Sequence, residues 1–286
     1  MKILIKFRTV VLILTLFSFS PVISLAQVQP VVSLQTFYDE LAPYGQWVDN
    51  PVYGYVFIPN AGPGFVPYAT EGQWEYTDYG WTWESNYPWG WACFHYGRWN
   101  YDQNYGWFWV PDLNWGPAWV AWRNSPQYYG WAPLPSGVDV NVGFGGLSID
   151  ANFWNFVPNQ YLGDPNVCNY LMPRMNNDLY IGNSAFINRV GYDHDHRYRY
   201  FGGPGLDEVN RYHRGGMIHP AMVNEYSDHR HINRPNQIGI YHPDQNQRHG
   251  GNPAPGEYIH ENQGQHRDEG HRYYNPRQDY HNNRDH

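Results

Sequence analysis

Large aromatic residues alternate with other residues along the central part of the chain, and a period of two is the signature of a β-strand. The alternating sets each flank a single residue: Trp74 and Tyr76, Trp81 and Trp83, and Trp107 and Trp109. Segments rich in Asp, Asn and Gly separate these sets, as at residues 78–80 and 102–106. Such compositions are typical of tight turns. The pattern therefore predicts consecutive β-hairpins.

One phrase recurs through the same stretch: a glycine, one further residue and Trp, then a second glycine that follows Tyr and precedes alternating aromatic residues. The first glycine of each copy is Gly45, Gly72 and Gly97, and the second is Gly54, Gly80 and Gly106. A nearly fixed period indicates one supersecondary unit that is used several times. We therefore predict an all-β fold, an antiparallel meander of aromatic-rich hairpin repeats that forms a barrel-like layer or an open sheet.

The first 26 residues have the composition of a secretory signal peptide. Lys2, Lys6 and Arg8 precede an apolar run over residues 9–19, which is short for a membrane span, and small residues stand at 24 and 26. We expect cleavage after Ala26 and an exported protein, periplasmic or associated with the cell envelope. An uncleaved anchor is the alternative. No later segment is long and apolar enough to predict a transmembrane helix.

Composition divides the remaining chain into five segments. They are a lead-in with a short helix at 27–43, the hairpin-repeat domain at 44–135, a β extension of that domain at 136–189, a small mixed segment at 190–231, and a disordered tail rich in His, Asn and Arg at 232–286. In the lead-in, Ser33 is placed to cap a helix over residues 34–41. Alternation also predicts strands within residues 89–95 and 138–155.

Charge argues against one class of partner. Residues 27–189 carry four arginines and thirteen acidic residues, and no lysine follows Lys6. Nucleic-acid binding needs a cationic face, so we do not expect nucleic acid as a partner. The oligomeric state is open at this point.

The tryptophans have two readings. Buried aromatic rings provide the area that a thin sheet needs for a core. Exposed rings on a wet sheet face provide a binding surface. We predict that most rings pack in the core and that Trp81, Trp83, Trp107 and Trp109 are candidates for an aromatic surface that contacts a glycan or another envelope polymer.

Acidic residues near the aromatic array offer an enzymatic alternative. Two carboxyl groups that flank a groove can cleave a glycosidic bond. The candidates for a glycan- or peptidoglycan-cleaving hydrolase are Glu75, Asp78, Glu84 and Asp102. The leading hypothesis is nevertheless a structural or binding protein without catalytic residues.

The later part of the chain adds two further expectations. Histidines two residues apart at His194 and His196, and at His229 and His231, predict weak binding of divalent metal ions, since neutral imidazole suits Zn²⁺, Cu²⁺ and Ni²⁺. No other cofactor is expected. In an oxidising compartment Cys93 and Cys168 are candidates for a disulfide, and two separate thiols are the alternative.

Several longer phrases resemble a known pattern. Residues 41–48 read Leu-Ala-Pro-Tyr-Gly-Gln-Trp-Val, residues 79–83 Tyr-Gly-Trp-Thr-Trp, and residues 115–120 Trp-Gly-Pro-Ala-Trp-Val. They are similar to an uncharacterised family of bacterial exported proteins with tryptophan-rich, YxWGxW-like repeats. The resemblance covers residues 36–135 and continues more loosely to about residue 226. It implies an exported protein with no established catalytic residues to carry over.

Overall fold

The computed structural model describes residues 32–138, 140, 147–192, 198–226, 237–241 and 252–260. The described part begins with the expected helix α1 (Leu34–Leu41), whose cap is Ser33. The Ser33 hydroxyl accepts the Thr36 N–H at 3.2 Å, which satisfies one of the free donors of the first turn. Phe37, Tyr38 and Leu41 are buried and fix the helix to the sheet behind it.

The predicted hairpin repeats are confirmed. Four hairpins follow one another: β1 (Gly45–Asn50) with β2 (Gly54–Pro59), β3 (Gly72–Thr77) with β4 (Gly80–Ser85), β5 (Arg98–Asp102) with β6 (Gly106–Val110), and β7 (Val120–Asn124) with β8 (Tyr128–Pro133). Each hairpin is antiparallel and has one directly opposed aromatic pair in which both rings are buried. These pairs are Trp47 and Phe57, Trp74 and Trp83, Trp99 and Trp109, and Trp122 and Trp131.

The paired rings form the centre of the core. All eight are at most 2 % exposed. Rings from different hairpins also meet, as Trp74 and Trp122 do with centroids 4.6 Å apart. Tilted and edge-to-face contacts of this kind contribute about 0.5–1.5 kcal/mol each beyond the area they bury. The expectation that most tryptophans serve packing is therefore correct.

The hairpins do not continue in one meander, which corrects that part of the prediction. The first and third hairpins join through a pairing of Phe57 in β2 with Trp109 in β6, whereas β3–β4 forms a two-stranded sheet of its own. The second hairpin instead packs its tryptophans on the fourth, as the Trp74–Trp122 contact shows. Within the described residues the sheets are open, and none closes into a barrel.

Residues 89–95 are not a strand, contrary to the alternation. A short helix α2 (Gly90–Cys93) lies there, and the Trp89 carbonyl accepts the N–H groups of Ala92 and Cys93 at 3.2 and 3.3 Å. Trp89 is buried and stacks on Tyr87 with centroids 4.5 Å apart. The backbone groups of this segment are satisfied locally, and a single helical turn is too short for its period to be told from that of a strand.

The later segments complete the sheets. Their elements are β9 (Asn155–Pro158), α3 (Asn177–Gly182), β10 (Ala185–Phe186), β11 (Val190–Tyr192), β12 (Arg199–Phe201), α4 (Leu206–Asn210), β13 (Met222–Tyr226), β14 (Gln237–Tyr241) and β15 (Ile259–His260). The second sheet has the order β10-β7-β8-β9, and the largest sheet has the order β15-β1-β2-β6-β5. We predicted a strand within residues 138–155. In the described part of this range no strand is present before β9 begins at Asn155, and a 3₁₀ turn (Ala151–Phe153) lies there instead.

Two expectations about the ends of the chain meet the limits of the described residues. The signal-peptide prediction for residues 1–26 lies outside them. The predicted disordered tail lies outside them in large part, but residues 237–241 and 259–260 form strands there, which corrects the prediction at these positions. No helix in the described ranges has the length and apolar character needed to cross a bilayer.

Candidate functional site

Three of the four tryptophans proposed as a ligand surface are buried, so the prediction is wrong for them. Trp83 and Trp109 have no exposed area, and Trp81 is 2 % exposed. The rings of Trp83 and Trp109 face the core as members of the cross-strand pairs. Trp81 is covered by the later chain, because its indole N–H donates to the Pro204 carbonyl at 3.0 Å.

The fourth, Trp107, belongs to a cluster of three rings at the surface. Trp107 is partly exposed, Tyr101 is 48 % exposed, and Phe153 is partly exposed. The centroid of Trp107 lies 4.7 Å from that of Phe153 and 5.5 Å from that of Tyr101, and the Tyr101 and Phe153 centroids are also 5.5 Å apart. We call these three residues the aromatic patch.

The register of the third hairpin explains why this patch reaches solvent. Tyr101 pairs directly with Trp107, one step beyond the buried pair of Trp99 and Trp109 on the same face. The aromatic pairs on this face thus extend from the buried pair in the core to a second pair at the surface. Asp102 closes the turn beyond it by accepting the Asn104 and Tyr105 N–H groups at 2.6 and 3.3 Å. Two of the three rings of the patch are therefore positioned by the register and the turn of one hairpin.

Sequence reasoning missed two members of the patch. Tyr101 follows Trp99 by two residues, so the alternation already places both rings on one face, and hairpin pairing then brings Tyr101 opposite Trp107. Nothing in the sequence pattern indicates Phe153. It arrives from the 3₁₀ turn before β9, more than forty residues away along the chain.

A second group of side chains lies on the β3–β4 hairpin, on the face opposite the buried pair of Trp74 and Trp83. Glu75 and Glu84, two of the four proposed catalytic acids, both accept hydrogen bonds from the Gln73 side-chain amide. The Gln73 Nε2 atom is 2.7 Å from Glu75 Oε1 and 3.0 Å from Glu84 Oε2. Since both oxygens contact one nitrogen, they lie less than about 6 Å apart. Gln73, Glu75 and Glu84 are called the acid pair cluster below.

Burial changes the protonation of this cluster. Desolvation, and secondly the charge of Glu75, raises the pKa of Glu84 to about 7, although the hydrogen bond from Gln73 opposes the shift. Desolvation also raises the pKa of Glu75 above its ordinary value, again against the Gln73 bond. Like charges this close disfavour double ionisation, so a substantial fraction of Glu84 is protonated near neutral pH.

The other two proposed acids are not part of this cluster. Asp102 is occupied in the turn of the third hairpin, as described above. Asp78 is exposed in the turn between β3 and β4. The structure thus brings together one pair of the four candidates.

The two cysteines are free thiols, so the candidate disulfide is not formed. Cys93 is buried on α2, where desolvation raises the pKa of its thiol well above the ordinary value. Cys168 donates from Sγ to the Gly72 carbonyl at 3.2 Å. Each sulfur thus has its own surroundings, in agreement with the alternative of two separate thiols.

The metal-binding prediction remains untested. His194, His196, His229 and His231 all lie outside the described residues. In the ranges that the structure describes, no three His, Cys, Asp or Glu residues are grouped so as to hold a metal ion. Weak binding of divalent metal ions by the four histidines stays a prediction.

Comparisons with known proteins give one match. A model described as a family of unknown function (DUF6600) matches residues 38–138, which is roughly a third of the chain and contains all four hairpins. This agrees with the expected resemblance to an uncharacterised family. No curated protein and no solved structure matches the chain. The hairpin array is accordingly the part of the molecule that the family model represents, and it carries both the acid pair cluster and two rings of the aromatic patch.

Proposed function

We propose that this chain is an exported binding protein of the cell envelope and that the aromatic patch contacts a glycan or a related envelope polymer. The observation that supports it is the surface cluster of Tyr101, Trp107 and Phe153, whose rings contact one another while remaining accessible. The C–H faces of a sugar ring are apolar and slightly electropositive. They pack well against the negative face of an aromatic ring.

The patch suits a polymer better than a small enclosed ligand. It lies at the outer end of a hairpin rather than in a deep cavity, so a long chain can lie across it. Tyr101 and Trp107 are already ordered by the hairpin register, so their immobilisation on binding costs little side-chain entropy. Exposed Gln103, Asn104 and Asn152 adjoin the patch in sequence and offer hydrogen-bonding groups for sugar hydroxyls.

Binding is tested by co-sedimentation of the purified protein with peptidoglycan sacculi, chitin and cellulose. We expect Tyr101→Ala and Trp107→Ala to lower the bound fraction at least tenfold on the polymer that the wild type retains. Tyr212→Ala is the matched control, because Tyr212 is 45 % exposed, close to the 48 % of Tyr101, and lies outside the patch. Equal retention of Tyr101→Ala and wild type would refute the role of the patch.

Export is tested separately, by cell fractionation. The basic start, apolar run and Ser-Leu-Ala ending of residues 1–26 support it. We expect the protein in the periplasmic or envelope fraction with a new N-terminus at Gln27. Recovery of full-length protein in the cytoplasmic fraction would contradict export without bearing on the patch.

The acid pair cluster favours a second candidate function, hydrolysis of a glycan. Its two carboxyl oxygens lie less than about 6 Å apart, a bound that is compatible with the separation of about 5–5.5 Å in enzymes that cleave with retention of configuration. In this mechanism Glu84, protonated near neutral pH, donates its proton to the leaving oxygen, and Glu75 attacks the anomeric carbon. Glu84, now ionised, then takes a proton from a water molecule whose oxygen attacks the anomeric carbon, which releases the sugar from Glu75 and restores both carboxyl groups.

This candidate is tested by the release of reducing ends from the retained polymer. Glu75→Gln and Glu84→Gln should each abolish release, whereas Asp78→Asn, which removes a charge from the turn of the same hairpin, should leave it unchanged. Binding without any release by the wild type would leave the binding function and exclude the hydrolase.

A further inference from the structure

Residues 252–260 run from a contact with α1 to the edge of the largest sheet. Their last two residues form β15, which pairs in parallel with β1 through Val48 with Ile259 and Asp49 with His260. On its other side β1 pairs with β2. The segment therefore occupies the edge of the sheet beside α1, as an added strand.

One side chain of α1 recognises the backbone of this segment. Gln35 donates from Nε2 to the Ala254 carbonyl at 3.1 Å, and its Oε1 accepts the Ala254 N–H, also at 3.1 Å. A primary amide that satisfies both main-chain groups of one residue binds an extended peptide as a neighbouring strand does. Gln35 also donates to Asp39 at 2.8 Å, which orients its amide.

Side chains of the segment add selectivity. Pro255 is buried next to the amide contact. The Tyr258 ring packs edge-on against Tyr55 with centroids 4.9 Å apart, and His260 Nδ1 lies 3.5 Å from an Asp49 carboxyl oxygen. The groove of Gln35, β1 and Tyr55 thus fits a strand in which a small residue and a proline precede an aromatic residue. We call it the edge groove.

The last three residues of the segment bury little of their surface. Tyr258, Ile259 and His260 are all exposed, Ile259 to 52 %. An element with so little buried area opens at low free-energy cost, and its departure leaves the N–H and C=O groups of a strand edge ready to pair again. Ten residues, 242–251, connect the segment to β14, enough for a span of up to about 35 Å.

We propose that the edge groove binds residues 252–260 of a second copy of this chain, so that copies link by exchange of this strand. The occupant is identified by the structure itself, since the same nine residues already fill the groove within one chain. Groove and segment are different surfaces, so each copy offers one donor and one acceptor. Such contacts build open chains of copies unless two copies exchange reciprocally.

Within one chain the tether competes with exchange. A connection of only ten residues gives the segment an effective concentration in the millimolar range. Wild-type copies should therefore associate only at high protein concentration, or where they are gathered on a polymer. Two complementary variants remove this competition and give a sharper test.

One variant loses the groove and the other loses the segment. Gln35→Ala removes the amide contact and keeps the segment. Ala254→Pro with Tyr258→Ala removes the N–H that Gln35 accepts and the ring that packs on Tyr55, and keeps the groove. Near-ultraviolet circular dichroism, dominated by the core tryptophans, verifies that both full-length variants are folded.

The two variants are then analysed by sedimentation equilibrium, alone and mixed, at up to about 0.5 mM, below the effective concentration of the tether. We expect each variant alone to be monomeric and the equimolar mixture to contain a one-to-one dimer. A monomeric mixture would overturn the proposal. So would a dimer that persists when all three substitutions stand in both chains, because the interface would then lie elsewhere. The test does not depend on glycan binding.

Discussion

Trp109 reaches back across its own hairpin to Tyr96, to whose carbonyl its indole N–H donates a hydrogen bond of 2.7 Å. Gly97 lies beneath the ring, and a Cβ there would come within 2.8 Å of the indole. The first and second hairpins repeat the arrangement: Gly45 lies beneath Phe57, and Gly72 beneath Trp83. The first glycine of the repeated phrase thus leaves the space that the buried ring of the partner strand occupies.

This relationship predicts different costs for two glycine substitutions in one hairpin. Gly97 and Gly106 both have positive φ, at 60° and 73°, but a Cβ at Gly106 meets nothing within 4 Å. Gly106→Ala should lower the free energy of unfolding by about 1 kcal/mol, the conformational cost alone. Gly97→Ala should add a packing cost of about 1–3 kcal/mol, since the ring and the Val110 carbonyl must move.

Urea denaturation of both variants and the wild type measures the difference. Equal losses in the free energy of unfolding for Gly97→Ala and Gly106→Ala would show that packing of the Trp109 ring on Gly97 contributes nothing measurable. Both glycines would then be required only for their positive φ. A changed slope against urea would mean that compactness has changed as well, and the comparison would then be made with Gly72→Ala.

The repeat could be predicted because its information is local. Strand alternation, turn residues and glycine spacing all lie within 26 or so residues, so the hairpins and the capped helix α1 follow from sequence. The sequence does not show which aromatic rings are buried in the core. Trp81 is buried by a contact with Pro204, and Phe153 joins the patch from a distant turn; neither contact leaves a periodic signal.

The acid pair shows the same division. Alternation places Gln73, Glu75 and Glu84 on one face of the second hairpin, and pairing sets Gln73 opposite Glu84. The proximity of these three residues could therefore be predicted from the sequence. Their burial could not be predicted, because it depends on the elements packed around the hairpin. This burial raises the pKa values of Glu75 and Glu84.

Burial of Glu84 predicts a pH dependence of stability. Its pKa is raised from 4.5 to about 7 on folding, so the native state binds more protons than the unfolded state between these values. Stability from this group is therefore greatest at low pH and falls as pH rises through this window. Glu84→Gln keeps the neutral form, and should raise the free energy of unfolding at pH 8 by about 1 kcal/mol after allowance for solvent screening.

Thermal or urea unfolding at pH 5, 6.5 and 8 checks this effect. The gap between Glu84→Gln and wild type should widen with pH, whereas Asp78→Asn, at the exposed turn of the same hairpin, should run parallel to wild type. A constant gap for Glu84→Gln would mean that this carboxyl group titrates alike in the folded and unfolded states.

The free thiols predict a specific labelling pattern. Cys93 is 1 % exposed and its thiol pKa is raised by burial, so it should not react until the protein unfolds. Cys168 is partly exposed but donates to the Gly72 carbonyl, and should react slowly. An aromatic disulfide reagent at pH 8 should therefore label about one thiol in the native wild type.

Single variants assign this label. Cys168→Ser should be unlabelled in the native state, and Cys93→Ser should behave as the wild type. After unfolding without reductant, alkylation should add two groups to the wild type as measured by intact mass. Absence of alkylation under these conditions would establish a disulfide and contradict the free thiols.

The last prediction concerns Tyr68, which connects three parts of the hairpin array. Its hydroxyl donates to the Phe94 carbonyl at 2.9 Å and accepts the Trp119 N–H at 3.1 Å, and its own carbonyl accepts the Trp131 indole N–H at 2.7 Å. The ring is 1 % exposed, so water cannot replace the hydroxyl. Tyr68→Phe leaves a buried N–H and a buried carbonyl without this partner, and should cost about 2–3 kcal/mol.

Tyr87→Phe is the matched control for this loss. The Tyr87 hydroxyl donates to Thr70 Oγ1 at the longer distance of 3.5 Å, and the residue is partly exposed. Its removal should change the free energy of unfolding by less than about 0.5 kcal/mol, because water can solvate the freed groups. Urea denaturation at pH 7 distinguishes the two variants. Equal effects would show that the Tyr68 hydroxyl is dispensable and that its ring alone, packed on Trp74, Trp83 and Phe94, joins the hairpins.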